Sequence, residues 1–525
     1  LDSKTREHAW AHPLSCATTM HRALASLRCS SAFSPAPVHS LASGSRAPSR
    51  LKLPQVRQLH AALLAPGLGD ALASLPGAAR DKQGHISVPV PDPRLELLAE
   101  LERTKPIHAV VEAVPVGGAL DEEFAHVVGE ALSASGDSAE LSGKLLAELR
   151  RSEAIVLAVP CRAGADADPV AWLQAAERSL ISSDLQALEQ QVCKGGSTGE
   201  DAELDVAKLR KALASSKDKA VQRDADSLTR DVVAPGLAAL RARLRAGAPA
   251  REARPGLESR VSPQSKQFDP LDPRFEELTR GWLHMLVTWR PLLLLADVPE
   301  TDAGEAASSD GADGGSGPLG NDASKRLAAH AKMQGVPCVT ACLALESEVA
   351  GLRDEPEFTK DYLESFGLRE GDSEASASLR PWRSRSAEIM RCIPKLLNML
   401  TYYTAGEKEA RAWMCPRIRK DHSPLPFALP GSDEVASASA AKSGQAKKGE
   451  SDDGVPAFLA ARAIHTSFES RLKSVLVWKF EDLEALGPCE SGPAAKERAK
   501  SGGKMKKVPA QALLEDSNVV EFVLS

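Results

Sequence analysis

Short, strongly apolar runs separated by stretches of helical periodicity constrain this chain more than any other feature. The runs are His85-Ile-Ser-Val-Pro-Val90, Ile107 to Val116, Ala154-Ile-Val-Leu-Ala-Val-Pro160, Pro291-Leu-Leu-Leu-Leu-Ala-Asp297 and Gly335-Val-Pro-Cys-Val-Thr340. Apolar β runs alternating with helices predict a parallel α/β sheet. Leu53 to Leu63 reads as a short helix, and Asp92-Pro-Arg opens another through Leu95, Leu98 and Leu101, with Asp92 as its cap.

Between the Ala154 and Pro291 runs the pattern changes. Trp172, Ala176, Leu180, Leu188 and Val192 recur at helical spacing, followed by Leu204, Leu209, Leu213, Leu228, Val232, Leu237, Leu240 and Leu244. This reads as a helical hairpin or coiled-coil arm inserted into the α/β unit. Thr301 to Asn321 and Gly431 to Gly454 are rich in Gly, Ser, Asp and Ala and read as disordered loops.

At 525 residues the chain has room for two to four domains. A net charge of −6 gives no global attraction to nucleic acid, so any such contact must come from local basic patches. No apolar run is long enough to cross a bilayer as a helix. The nine cysteines form no C-x-x-C pair, and Cys338 and Cys342 have no companion cluster, so no metal is expected. The N-terminal segment is distinct. From His8 to Gly69 there is no Asp or Glu, while Arg22, Arg28, Arg46, Arg50, Lys52 and Arg57 are spread along a Ser- and Ala-rich stretch. That composition matches a mitochondrial or plastid transit peptide.

Three stretches carry a resemblance. Thr401-Tyr-Tyr-Thr-Ala-Gly-Glu-Lys-Glu-Ala-Arg-Ala-Trp413, Ala463-Ile-His-Thr-Ser-Phe-Glu469 and Val88-Pro-Val-Pro-Asp-Pro-Arg-Leu95 together resemble the Obg-like ATPases of the YchF type. These are P-loop NTPases ending in a small β-grasp TGS domain. The order of core, helical insertion, core return and TGS is similar from about residue 85 to the C-terminus. Composition marks a leader at 1–50, and the resemblance implies a degenerate GTPase-like core at 51–165 and a helical insertion at 166–284. A second part of the core would occupy 285–400, and a TGS domain 401–525, interrupted by a disordered insertion at about 420–455.

Hydrolysis on this fold needs a G-x-x-x-x-G-K-[ST] loop whose backbone N–H groups wrap the phosphates, a Lys for the β/γ-phosphates and a metal-binding hydroxyl. The motif occurs nowhere in the chain. The nearest match to the family's L-P-N-V-G-K-S-T is Leu53-Pro-Gln-Val-Arg-Gln58, which leaves Arg57 and Gln58 where Gly-Lys-Ser-Thr should stand. The second phosphate motif, D-x-x-G, becomes Pro115-Val-Gly-Gly118, keeping Gly118 and losing the metal-linked Asp to Pro115. The base-reading N-x-x-E becomes Asp297-Val-Pro-Glu300, where Asp297 can accept but not donate.

The resemblance therefore implies a non-catalytic homologue that needs no cofactor and acts as a ribosome-associated scaffold. The leader points to the mitochondrion, with plastid or cytoplasm as alternatives. A weak translation-associated ATPase and a subunit of another organellar complex are the other readings. Three basic clusters are candidates for RNA phosphates: Arg241, Arg243, Arg245, Arg251 and Arg254; Arg417, Arg419 and Lys420; and Lys496, Arg498, Lys500, Lys504, Lys506 and Lys507.

Overall fold

Alternation within the apolar runs builds the central sheet. The computed structural model describes residues 59–132, 140–162, 168–199, 201–253, 272, 274–304, 320–370, 379–419, 453–488 and 494–525. The leader, Arg57, Gln58, Arg254, Lys420 and most of the two Gly/Ser-rich loops lie outside these residues. Strands β1 (Leu59–Leu64), β2 (Ala79–Arg80), β3 (Ile86–Pro89), β5 (Val110–Pro115), β6 (Ala154–Pro160), β7 (Leu292–Asp297) and β8 (Cys338–Ala341) form one sheet. Their order is β2-β3-β5-β1-β6-β7-β8. The five strands from β5 to β8 run parallel, and β2 and β3 add an antiparallel edge.

Ala62, Leu64, Ile155, Leu157, Leu292 and Leu294 pack to one face; Ala61, Leu63, Ala154, Val156, Leu293 and Leu295 pack to the other. Helices cover both faces, which is why these strands read as near-continuous apolar runs.

Two expectations change here. The segment read as a short helix up to Leu63 contributes strand β1 from Leu59 onward, because its apolar residues are needed at the middle of the sheet. The Ile107–Val116 run is not one strand. It divides into β4 (Lys105–Ile107) and β5, and β4 belongs to a second sheet.

That second sheet is C-terminal in its other members: β9 (Met399–Ala405), β10 (Glu409–Pro416), β11 (Leu472–Trp478), β12 (Lys506–Pro509) and β13 (Val519–Leu524). The order is β12-β11-β13-β9-β10-β4. Adjacent Tyr402 and Tyr403 are both fully buried on opposite faces of β9, as the two-residue period of a strand requires. Tyr402 donates to the Ala460 carbonyl at 2.7 Å. The insertion within this module is tied at its base, with Ile418 paired to Gly454 and Arg419 to Asp453.

The helical insertion does not run as two long paired helices in its described residues. One 24-residue helix, α3 (Pro169–Val192), leaves the core. Its first half (Leu173, Ala176, Leu180) packs on the sheet, and its second half (Leu188, Val192) enters a separate helical core. Short helices at Val206–Ala214, Ala234–Arg245 and Phe275–Leu283 complete that core. Gly236 is required there, since a Cβ would collide with the Phe275 ring. Asp184, fully buried on α3, accepts from the Val287 and Thr288 amides at 2.8 and 2.6 Å and from the Thr288 hydroxyl at 2.6 Å. This joins the insertion to the segment entering β7.

Candidate nucleotide site and charged faces

In an open parallel sheet, ligands bind outside the carboxyl ends of the strands, and a phosphate loop joins the first strand to its helix. Here that connection is Ala65-Pro66-Gly67, between β1 and α1 (Leu68–Ala73). The Leu68 amide donates to the Ala65 carbonyl at 3.2 Å, and Gly67 sits at φ 80°, ψ −25°. Pro at the second position and a left-handed Gly at the third make this a type II β-turn. Four residues close a connection that a phosphate loop leaves open. The turn and first helical turn contain neither Lys nor Ser/Thr, and Asp70 adds a negative charge, bonded to Arg80 at 2.7 Å.

Helix α4 (Leu343–Gly351) packs directly on the turn. A Cβ on Gly67 would lie 3.2 Å from Ser347 Cβ and 3.3 Å from the Leu343 carbonyl oxygen. The helix is held from both sides. Asp297 accepts from the Leu343 amide at 2.9 Å, so the position expected to read a base caps α4 instead. Burial pushes the Asp297 carboxyl above its ordinary range despite that bond. Buried Glu346 accepts from the Arg385 amide and the Ser384 hydroxyl, each at 2.6 Å, and from the Ser386 hydroxyl at 2.9 Å.

Pro115 ends β5 beside the turn, where its Cγ would lie 3.0 Å from a Cβ on Gly69. Gly118 begins the following helix, Gly118–Leu132. Asp121, in its first turn, accepts from the Gly117 amide, and burial raises its carboxyl to about 6. Glu300 starts a single 3₁₀ turn beyond β7. Thus Pro115, Gly118, Asp297 and Glu300 gather at one edge of the sheet. The loop match at Leu53–Gln58 lies outside the described residues; strand β1 begins at Leu59, and the first described strand-to-helix connection follows Leu64. The Pro66-Gly67 dipeptide after an apolar run was the available signal.

Most of the described part of the first basic cluster faces inward. Arg241 is buried and bonds Glu189 Oε1 and the Ala202 carbonyl, each at 2.9 Å. Arg245 bonds the same Glu189, and Arg251 bonds Glu177. Arg243 is buried and donates to the Glu252 carbonyl at 3.3 Å. The expectation of a phosphate-binding surface is corrected for Arg241, Arg243 and Arg251, which neutralise buried glutamates or hold backbone inside the insertion; Arg245 shares Glu189 but stays exposed.

Arg417 pairs with Asp516 at 3.6 Å, and Arg419 lies in a short strand. In the third cluster Lys496 is drawn over the Trp478 ring at 5.1 Å and donates to the Ala405 carbonyl at 2.7 Å. Arg498 donates to the Leu486 and Gly487 carbonyls, in the turn that follows the Phe480–Glu484 helix. Lys500, Lys504, Lys506 and Lys507 remain exposed, the last two on edge strand β12. Lys504 pairs with Asp482 at 3.0 Å.

A parallel sheet of this order, helices on both faces and a strand-to-helix ligand edge define the class: a P-loop GTPase-like core joined to a C-terminal β module. No protein-family model matches the chain. It is 23% identical over 444 residues to the ribosome-binding ATPase YchF of Bacillus subtilis, covering 83% of this chain and 87% of that protein. It is 24% identical over 451 residues to the ribosome-binding ATPase YchF of Escherichia coli O157:H7, covering 83% and 88%. The solved structure of the Schizosaccharomyces pombe YchF GTPase matches with a TM-score of 0.54 at 16% identity, over 89% of this chain and 98% of that one. Over most of its length the chain is similar to the YchF type of Obg-like ATPases, from which its sequence diverges widely.

Proposed function

We propose that this protein is a nucleotide-independent scaffold that associates with the ribosome, as an accessory subunit of the mitochondrial ribosome touching rRNA and neighbouring proteins. The observation carrying the reading is the four-residue Ala65–Leu68 turn, which spends its amide on itself and is backed by α4. A triphosphate with its metal ion needs a nest of free backbone donors, a lysine and a hydroxyl; this connection carries neither a lysine nor a hydroxyl, and its Leu68 amide is already bonded to the Ala65 carbonyl. The ribosome enters from the relatives, which are named ribosome-binding ATPases. The organelle rests on the acid-poor, Arg- and Ser-rich leader.

The exposed lysines at β12 are the remaining candidates for RNA phosphates. Sedimentation of mitochondrial extract through a sucrose gradient tests the proposal. The protein should travel with a ribosomal subunit without added nucleotide and leave it at high salt. Lys504→Gln, Lys506→Gln and Lys507→Gln together should lower the salt at which it leaves. Migration with free protein at low salt contradicts the reading.

A further inference from the structure

The segment between β3 and β5 belongs by sequence to the α/β core and by packing to the C-terminal module. It contains helix α2 (Pro93–Glu102) and strand β4, and it is the part of the Val88–Leu95 motif that nucleotide chemistry does not explain. Strand β4 pairs in parallel with β10, placing Lys105, Pro106 and Ile107 opposite Glu409, Ala410 and Arg411. Helix α2 buries Leu95, Leu98, Ala99 and Leu101 in one core with Tyr403, Trp478, Phe480 and Val519. The C-terminal module is thus completed by residues that precede it by some 300 positions.

Polar contacts fix the front of α2. Asp92 caps the helix by accepting from the Arg94 amide at 3.0 Å, and its other oxygen accepts from the Tyr403 hydroxyl at 2.5 Å. Arg94 reaches Asp516 at 3.0 Å and the Ser517 hydroxyl, with its guanidinium 5.8 Å from the Tyr403 ring centre. Asp516 in turn accepts from the Thr401 amide at 3.0 Å. At the far end Glu102 accepts from the Lys496 amide at 2.7 Å, and the Lys105 amide donates to the Lys408 carbonyl at 3.2 Å. Neither end has a flexible linker. Val90 bonds Ala109 across the exit and re-entry points at 2.8 Å, and the chain passes at once into β3 and β5.

We infer that residues 91–107 act as a strap that folds as one cooperative unit with the C-terminal sheet and anchors that sheet to the α/β core through β3 and β5, closing a joint that would otherwise let the two modules move apart. The inference does not depend on any ribosomal role. Because β5 ends at Pro115 beside the β1–α1 turn, the strap also ties the former nucleotide edge to the C-terminal sheet.

Hydrogen exchange of the full chain, followed by mass spectrometry over a urea series, tests it. Amides of α2 and those of β9, β10 and β13 should become exchangeable at the same urea concentration. Opening of the C-terminal strands at lower urea while α2 stays protected would overturn the strap. In the full chain carrying Asp92→Ala and Arg94→Ala, exchange in β9 and β10 should rise at least tenfold together with α2, leaving β6 and β7 unchanged. Loosening confined to α2 would also overturn it. Should that variant not fold, Tyr403→Phe removes a single hydrogen bond and should speed exchange of both elements by about 3- to 10-fold; an effect on one alone counts against the strap.

Discussion

Replacing Asp184 by Asn isolates the cost of a buried charge from the worth of its hydrogen bonds. Burial raises the Asp184 carboxyl from 3.8 to about 6, against the pull of its bonds from Thr288 and Val287. A carboxylate whose folded value is raised gives its full stabilisation below the unfolded value and loses it as pH climbs through the folded value. The shift is about two units, so ionisation removes about 3 kcal/mol between pH 4 and pH 7. The Asn variant cannot ionise. With its oxygen towards Thr288 it keeps two bonds and turns its amide against the Val287 N–H, leaving that donor unpaired at about 1–3 kcal/mol. The variant should therefore be clearly less stable than wild type at pH 4 and close to it at pH 7.5. Urea unfolding followed by tryptophan fluorescence reads this directly, because buried Trp289 lies next to the contact. An equal difference at both pH values refutes the reasoning, since it means the carboxylate is not held in a medium that disfavours its charge.

Arg241→Ala should destabilise the helical insertion by about 3 kcal/mol, because Glu189 loses its most buried partner, and Arg245 limits the damage. Thermal unfolding shows the loss, while binding to an RNA hairpin should not change; weaker RNA binding by a folded variant would restore the surface role. Gly67→Ala should lower stability by about 1–2 kcal/mol, since an L-residue resists the left-handed third position of the turn. An unchanged melting temperature would show that the connection is not this turn.

The core was legible because its chemistry is uniform: strands flanked by helices on both faces leave apolar runs such as Leu292–Leu295 that need no partner to be recognised. Asp92 was legible as a cap for the same local reason. Boundaries were misread where a long-range contact decides the outcome. Nothing within Ile107–Val116 says that its first residue pairs with Arg411 in another sheet. Leu59–Leu63 became a strand because the sheet needs a middle strand, against a helical spacing of its leucines. The arginines at 241–251 matched a surface patch in sequence, and only the fold reveals that Glu177 and Glu189 on α3 face them. The departures from the family's motifs at Pro115 and Asp297 were visible from residue type alone, whereas the bond from the Leu343 amide to Asp297 depends on where α4 begins.

Isothermal titration of the purified protein with ATP and with GTP, each with and without Mg²⁺, tests the central claim most directly. A turn whose Leu68 amide is already bonded, and which carries no lysine or hydroxyl of its own, should give no saturable heat at micromolar nucleotide and no gain on adding Mg²⁺. Micromolar binding that strengthens with Mg²⁺ would contradict the account.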